Sequence, residues 1–253
     1  MVLADISWLT RRPVAHRGFH DKAAGRVENT LSAVDAAIER GFSIEVDLQA
    51  SSDGVPMVFH DFTLDRLTDE SGPLPARTAA QLNAIRISGT DDHIPTLAEL
   101  LDRVAGRVGL VIEIKSDFRT PPVLIPAIAA QLRTYDGPAV VMSFDPRVVE
   151  GFRRNAPDLP RGIVAEKTEP DEEWGDATAF QRFMLRHMLH APWSRPHFVA
   201  YHVKALPAPG PWVMRKVFGK PLLTWTVRTA EDRATAARHA DQMIFEGFDP
   251  EAA

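Results

Sequence analysis

Cysteine is absent from the 253-residue chain. That excludes disulfides, thiolate nucleophiles, zinc–thiolate sites and iron–sulfur clusters, so any metal must be held by oxygen or nitrogen. Long apolar runs are also missing. The longest, Pro121 to Ala130, is far short of the roughly 20 residues that span a bilayer, and the stretch Met1–Trp8 lacks the basic start and apolar core of a secretory leader. The expectation is a cytoplasmic protein without a transmembrane segment. There is no excess of basic charge: 29 Lys and Arg stand against 34 Asp and Glu, for a formal net charge of -5. A phosphate-backbone footprint is therefore not expected, and nucleic acid is not an anticipated partner. Gly-x-Gly-x-x-Gly after a first strand and Gly-x-x-x-x-Gly-Lys-Ser/Thr are both missing, which removes the usual nucleotide signatures of open doubly wound sheets.

What is present is an ordinary globular composition, 45% hydrophobic and 25% charged. Short apolar or β-branched runs alternate with amphipathic ones along the whole chain, the pattern of repeated βα units. Strands are predicted near Pro13–His16, Ser43–Gln49, Val108–Lys115, Ala139–Phe144, Gly162–Ala165, Phe198–His202, Leu222–Val227 and Gln242–Phe245. Helices are predicted near Thr30–Arg40, Thr96–Ala105, Val123–Thr134, Asp145–Asn155, Thr178–Leu189, Pro211–Phe218 and Ala230–Ala240. Asn29, Thr96, Asp145 and Thr229 or Glu231 are the candidate helix starts. Eight strands and seven helices point to an α/β fold, a (β/α)₈ TIM barrel in one domain over 1–253. Its last helix is expected to be missing or replaced by the segment around Ile6–Leu9.

Several polar residues sit where a buried strand should be apolar. In Ser43–Gln49 the alternation is strict, with Ile44, Val46 and Leu48 on one face and Glu45, Asp47 and Gln49 on the other. Inside a barrel, two like charges so close need a cation or a proton; on an edge strand they would simply face water. Val111–Lys115 repeats the anomaly with Glu113 and Lys115. Three inward carboxylates make a hard oxygen site suited to Mg²⁺ or Ca²⁺, and Lys115 could meet an anionic ligand. An internal Glu113–Lys115 ion pair is the bland alternative.

Asp53-Gly54 between strand-like runs signals a hairpin. With those two as the turn residues, His60 falls opposite Asp47 and returns an imidazole to the carboxylates. His16 ends the first strand beside Arg17 and Gly18. Two histidines at the C-terminal ends of neighbouring strands, each beside a charge, suit general acid and base work. Arg17 offers a planar fork for phosphate, or is a surface arginine. Trp225 fills core or touches ligand, and Asn29 reads most simply as a helix N-cap. The remaining histidines, including His187, His190, His197 and His239, lack a partner pattern and read as structural or exposed.

Taken together, His16-Arg17-Gly18, Glu28-Asn29-Thr30, Glu45-x-Asp47, Asp53-Gly54, His60-Asp61, Ile94-Pro95-Thr96-Leu97 and Ile112-Glu113-Ile114-Lys115 resemble the glycerophosphodiester phosphodiesterase family. The resemblance is dense over the first 115 residues and continues weakly through Ser143-Phe144 and Thr224–Val227. It implies a (β/α)₈ barrel with a small insertion after strand two, here about 61–93. It further implies His16 and His60 as general acid and base, and one divalent cation on Glu45, Asp47 and Glu113. Arg17 and Lys115 would bind the phosphate and Trp225 the glycerol. The implied reaction converts a small-molecule glycerophosphodiester to sn-glycerol 3-phosphate and an alcohol, through a cyclic phosphate. The chain departs from the family at Glu246, in Ile244-Phe245-Glu246 where Ile-Thr-Asp is usual, and in the acidic segment Glu166–Trp174.

A phospholipase D-like enzyme acting on lysophospholipids is the neighbouring alternative. It would show an apolar rim or exposed aromatic loop, for which Pro207–Phe218 is the candidate. A non-catalytic phosphate-binding protein would need damaged catalytic positions, and a metal-dependent sugar isomerase would not need Arg17 and Lys115.

Overall fold

The computed structural model describes residues 5–119, 122–166 and 178–252. The elements run β1 (Val14–Ala15), α1 (Leu31–Glu39), β2 (Ser43–Ala50), β3 (Pro56–Val58), α2 (Ala79–Asn83), α3 (Leu97–Val104), β4 (Leu110–Ile114) and α4 (Ile125–Thr134). They continue with β5 (Ala139–Ser143), α5 (Pro146–Asn155), β6 (Arg161–Ala165), α6 (Ala179–Arg186), α7 (Ala191–Ser194), β7 (Phe198–His202), α8 (Pro209–Lys216), β8 (Leu222–Val227), α9 (Ala230–His239) and β9 (Gln242–Phe245). Among the early strands β1 pairs with β2 and β2 with β3, and β5 to β9 pair with one another in sequence order. β3 is the antiparallel addition; the other eight strands and their helices make a (β/α)₈ barrel.

The helices begin where the sequence supplies oxygen caps. Thr96 and Glu99 form a reciprocal capping box on α3, Thr229 and Asp232 do the same on α9, and Asp145 caps α5 ahead of a first-turn proline. One expectation fails here. Thr30, not Asn29, caps α1, its hydroxyl accepting from the Ala33 N–H, and Asn29 sits one residue earlier at φ 58°. The Asn29 side chain does not cap the helix and bonds Asp47 instead.

The chain divides into two compact units, one of Val14–Glu113 with Val123–Ala139 and the other of the remaining described residues. In the first unit β1 runs parallel to β2, and β3 folds back on β2 with Leu48 opposite Val58 and Ala50 opposite Pro56. This register is one residue off the expected one. The Ser51 N–H bonds the Val55 carbonyl, so the loop holds three residues, Ser52 to Gly54, and ends on Gly54 at φ 78°. A three-residue loop with glycine in the left-handed position costs less than a two-residue turn once Ser51 and Asp53 hydrogen-bond across it. Phe59 rather than His60 therefore faces Asp47, and its N–H bonds the Asp47 carbonyl. After the hairpin, the insertion carries its own apolar cluster, in which Leu64, Leu74 and Ile94 pack with Met57 and Phe59.

In the second unit β5 to β9 run parallel in sequence order. No α-helix follows β9 among the described residues. Instead a 3₁₀ turn, Ser7–Thr10, buries Leu9 completely, the Thr10 carbonyl accepts from Gln242, and Arg12 pairs with Glu251 at 2.8 Å. This is the N-terminal replacement that the strand count anticipates.

Candidate active site

The alternation of β2 turns Glu45 and Asp47 to the face opposite Ile44, Val46 and Leu48, and all five are buried. Glu113, from β4, is also buried, and the three carboxylates can place oxygens within 4.8 Å of one another. Burial, reinforced by the charges of Asp47 and Glu113, pushes the Glu45 carboxyl well above the usual carboxylate range. The protein has thus buried three carboxyl groups at one point, an arrangement whose full ionisation costs several kcal/mol unless a cation or a proton offsets it. An all-oxygen donor set at that point fits a hard divalent ion.

Immediately after β1 the backbone turns over Arg17 at φ 55° and Gly18 at φ 83°. A Cβ on Gly18 would meet the Ala33 backbone at 3.0–3.1 Å, so this turn lies close against α1. The turn brings the His16 Nε2 to 3.9 Å from Glu45 Oε2, and the Arg17 N–H donates to that same oxygen at 3.0 Å. The Arg17 side chain reaches Glu28 at 2.7 Å and Asp47 at 3.3 Å. Burial works against its charge, but Asp47, Glu28 and Glu45 together hold it firmly protonated. Asn29, freed from capping, donates to Asp47 Oδ2 at 2.9 Å and accepts the Asp47 N–H.

His60 lies at the other end of a chain of charged contacts. Its Nδ1 meets Asp61 Oδ1 at 2.7 Å, Arg66 bonds Asp61 at 2.6 Å and Glu28 at 2.7 Å, and Glu28 returns to Arg17. Burial opposes ionisation of Glu28, but the bonds to Arg66 and Arg17 win and lower its pKa to about 2. Gln49, the third residue on the polar face of β2, donates its amide to the His60 carbonyl at 2.8 Å and also to that of Asp61. A neighbouring carboxylate on Nδ1 orients the His60 ring. Five of the sequence-predicted residues, His16, Arg17, Glu45, Asp47 and His60, are thereby linked through Glu28, Asp61 and Arg66. Only Arg66 carried no signal in the sequence, since its role depends on how the insertion folds back.

The other two predicted residues lie in the second unit. Lys115 follows directly on β4, and its Nζ stands 6.0 Å from the Phe144 ring centre. Phe144 meets Trp225 edge-on at 5.4 Å, and His202, at the end of β7, meets Trp225 at 5.0 Å. The Trp225 indole N–H has no hydrogen-bond acceptor among the described residues, which leaves its polar end suited to a ligand. Ser143 is fully buried and gives its hydroxyl proton to the Ile114 carbonyl, which disqualifies it as a nucleophile. Glu246 accepts from Arg228 at 2.6 Å. His190 and His197 are structural, both depressed to about 4 chiefly by burial. Of the acidic segment Glu166–Trp174, all but Glu166 lies outside the described residues.

Residues 16–247 match the model of the glycerophosphoryl diester phosphodiesterase family. This chain belongs to that family. Among curated relatives, "Putative glycerophosphodiester phosphodiesterase YhdW" of Bacillus subtilis is 31% identical over 161 residues, 60% of this chain and 64% of its own. The rat "Glycerophosphodiester phosphodiesterase 1" is 30% identical over 151 residues, 56% of this chain and 45% of its own. The matched region thus spans about half to two thirds of these relatives. A putative glycerophosphoryl diester phosphodiesterase from Silicibacter pomeroyi superposes with a TM-score of 0.74 at 25% identity, covering 92% of this chain and 89% of that one. An Oleispira antarctica phosphodiesterase, solved with the product sn-glycerol-3-phosphate, shares the fold with a TM-score of 0.73 at 22% identity, over 92% and 91% of the two chains.

Proposed function

We propose that the protein hydrolyses a glycerophosphodiester to sn-glycerol 3-phosphate and an alcohol. The observation that carries this reading is the buried Glu45–Asp47–Glu113 cluster, with the Arg17 N–H bonded to Glu45 and the His16 ring 3.9 Å from the same oxygen. Family membership supports it, as does the product bound by the Oleispira relative.

Glu45, Asp47 and Glu113 would hold one divalent cation, Mg²⁺ or Ca²⁺, which when bound supplies positive charge against the phosphodiester. Arg17 and Lys115 bind the phosphate oxygens, and Trp225 lies against the glycerol. His16 and His60 work as a pair: one accepts the proton of the glycerol 2-hydroxyl as its oxygen attacks phosphorus, and the other protonates the departing alcohol. Exchanging roles, the pair then delivers water to the five-membered cyclic phosphate and opens it to glycerol 3-phosphate. The internal nucleophile accords with an inventory that has no cysteine and a buried, committed Ser143, and its tethering provides a high effective concentration.

The test is a panel of glycerophosphodiesters, lysophospholipids included, incubated with and without chelator and scored for glycerol 3-phosphate release. Release that disappears with chelator and returns with Mg²⁺ or Ca²⁺ supports the reading, and none on any substrate sinks it. A 2-deoxy analogue should turn over poorly. If it matches the natural diester, the cyclic route is abandoned in favour of direct attack by water.

A further inference from the structure

Residues 178–221 contain seven Lys or Arg and no Asp or Glu, in a chain whose net charge is -5. The same stretch displays most of the large apolar side chains that the described residues leave in solvent. Phe180 is 70% exposed, Phe183 52%, Trp212 56%, and Val217 and Phe218 62% each. On α8 the buried side is Gly210, Pro211 and Met214, whereas Trp212, Val213, Lys216 and Val217 share the outward side at helical spacing. On α6, Phe180, Phe183 and Arg186 face outward while Leu185 is buried. The two helices are neighbours, since a Cβ at Gly210 would lie 3.2 Å from the Arg186 carbonyl and from Met188. Exposed aromatics concentrated this way mark an interaction surface.

We propose that this face of α6 and α8 docks on an anionic lipid surface. Charge selects that partner. Lys204 and Arg215 are neutralised by Asp232 and Asp241 from outside the stretch, but Arg186 and Lys216 are exposed beside the aromatic side chains. Tryptophan and phenylalanine flanked by Lys and Arg are the composition that enters the headgroup boundary of a bilayer carrying negative charge. A protein partner of opposite charge would be matched by the basic residues but not by so many separate aromatic tips. No helix among the described residues is long and apolar enough to cross a membrane, so attachment would be peripheral. The proposal is independent of the reading of the active site, because it concerns where the molecule sits rather than what it cleaves.

The full chain is sedimented with phosphatidylcholine vesicles made with and without phosphatidylglycerol, at low and high salt. Binding is expected only with phosphatidylglycerol, weakening as salt rises. The double substitution Trp212→Ala with Phe218→Ala, and separately Lys216→Glu, should each lower partitioning by about 10-fold or more, as loss of anchoring area or of surface charge predicts. Thermal unfolding of both variants checks that they fold. Should they not, quenching of wild-type tryptophan fluorescence by brominated phosphatidylglycerol, reduced in Trp212→Phe, serves instead. Equal binding to neutral vesicles, binding unchanged by the substitutions, or no vesicle binding together with concentration-dependent dimerisation would each overturn the proposal.

Discussion

At the residue scale, the site depends on side chains whose value lies in what they hold. Asn29 donates to one oxygen of Asp47 and accepts its N–H, so it sets the carboxylate's direction. Asn29→Ala is expected to weaken divalent-ion affinity by about 10- to 100-fold, the usual cost of removing a partner behind a metal ligand. Isothermal titration would show it, and an unchanged Kd would reduce Asn29 to a packing residue. His16→Ala and His60→Ala should each lower kcat by about 10²-fold or more, as removal of a general acid or base does. Near-wild-type turnover in both would remove them from the mechanism. Glu28 makes a pH-dependent contribution. Its folded pKa of about 2 lies below the ordinary 4.5, so its contribution is complete above pH 4.5 and fades as pH falls toward 2. That depression corresponds to stabilisation on the order of 3 kcal/mol. Thermal unfolding of Glu28→Gln should therefore show a deficit at neutral pH that narrows steadily below pH 4.5.

At the element scale, the hairpin and the insertion position His60. Gly54 and Gly18 both have positive φ, but among the described residues nothing beyond its chain neighbours lies within 4 Å of a Cβ at Gly54, while one at Gly18 meets α1 backbone. Gly54→Ala should cost only the left-handed strain, about 1 to 2 kcal/mol, and leave activity intact. Gly18→Ala should cost more and also lower activity, because relief requires moving the turn that carries His16 and Arg17. Chemical denaturation of the pair, read with kcat, separates the two. Leu64 is fully buried in the insertion's own cluster, between Asp61 and Arg66 in sequence. Leu64→Ala should cost about 2 to 5 kcal/mol by the cavity it leaves.

At the scale of the molecule, a cation held by the buried acidic cluster, as proposed, would make folding stability depend on that ion. An ion that binds only the folded state at about 100 times its Kd adds about 2.7 kcal/mol. The melting temperature should therefore rise with Mg²⁺ or Ca²⁺ and fall back with chelator, and in Asp47→Asn the rise should be largely lost. A melting temperature indifferent to either ion in the wild type would argue against a cation there.

What the sequence determined by itself is what local pattern encodes. Period-two alternation placed β2 and β4 and put Glu45, Asp47 and Glu113 on polar faces. Capping oxygens placed α3, α5 and α9, and the exact spans of β7, β8 and β9 follow from their apolar runs. The tertiary structure decided what depends on alternatives of nearly equal local energy. Asp53-Gly54 fits a two- or a three-residue loop, and hydrogen bonds from Ser51 tipped the register by one residue. Asn29 and Thr30 are both competent caps, and the pull of Asp47 on the Asn29 amide settled which one served. Arg66, bonded to Asp61, reaches Glu28 across 38 residues of sequence, a contact that exists only because the insertion's apolar cluster folds it back. No short-range pattern carries that information, because the energy that selects it comes from burial shared among residues far apart in the chain.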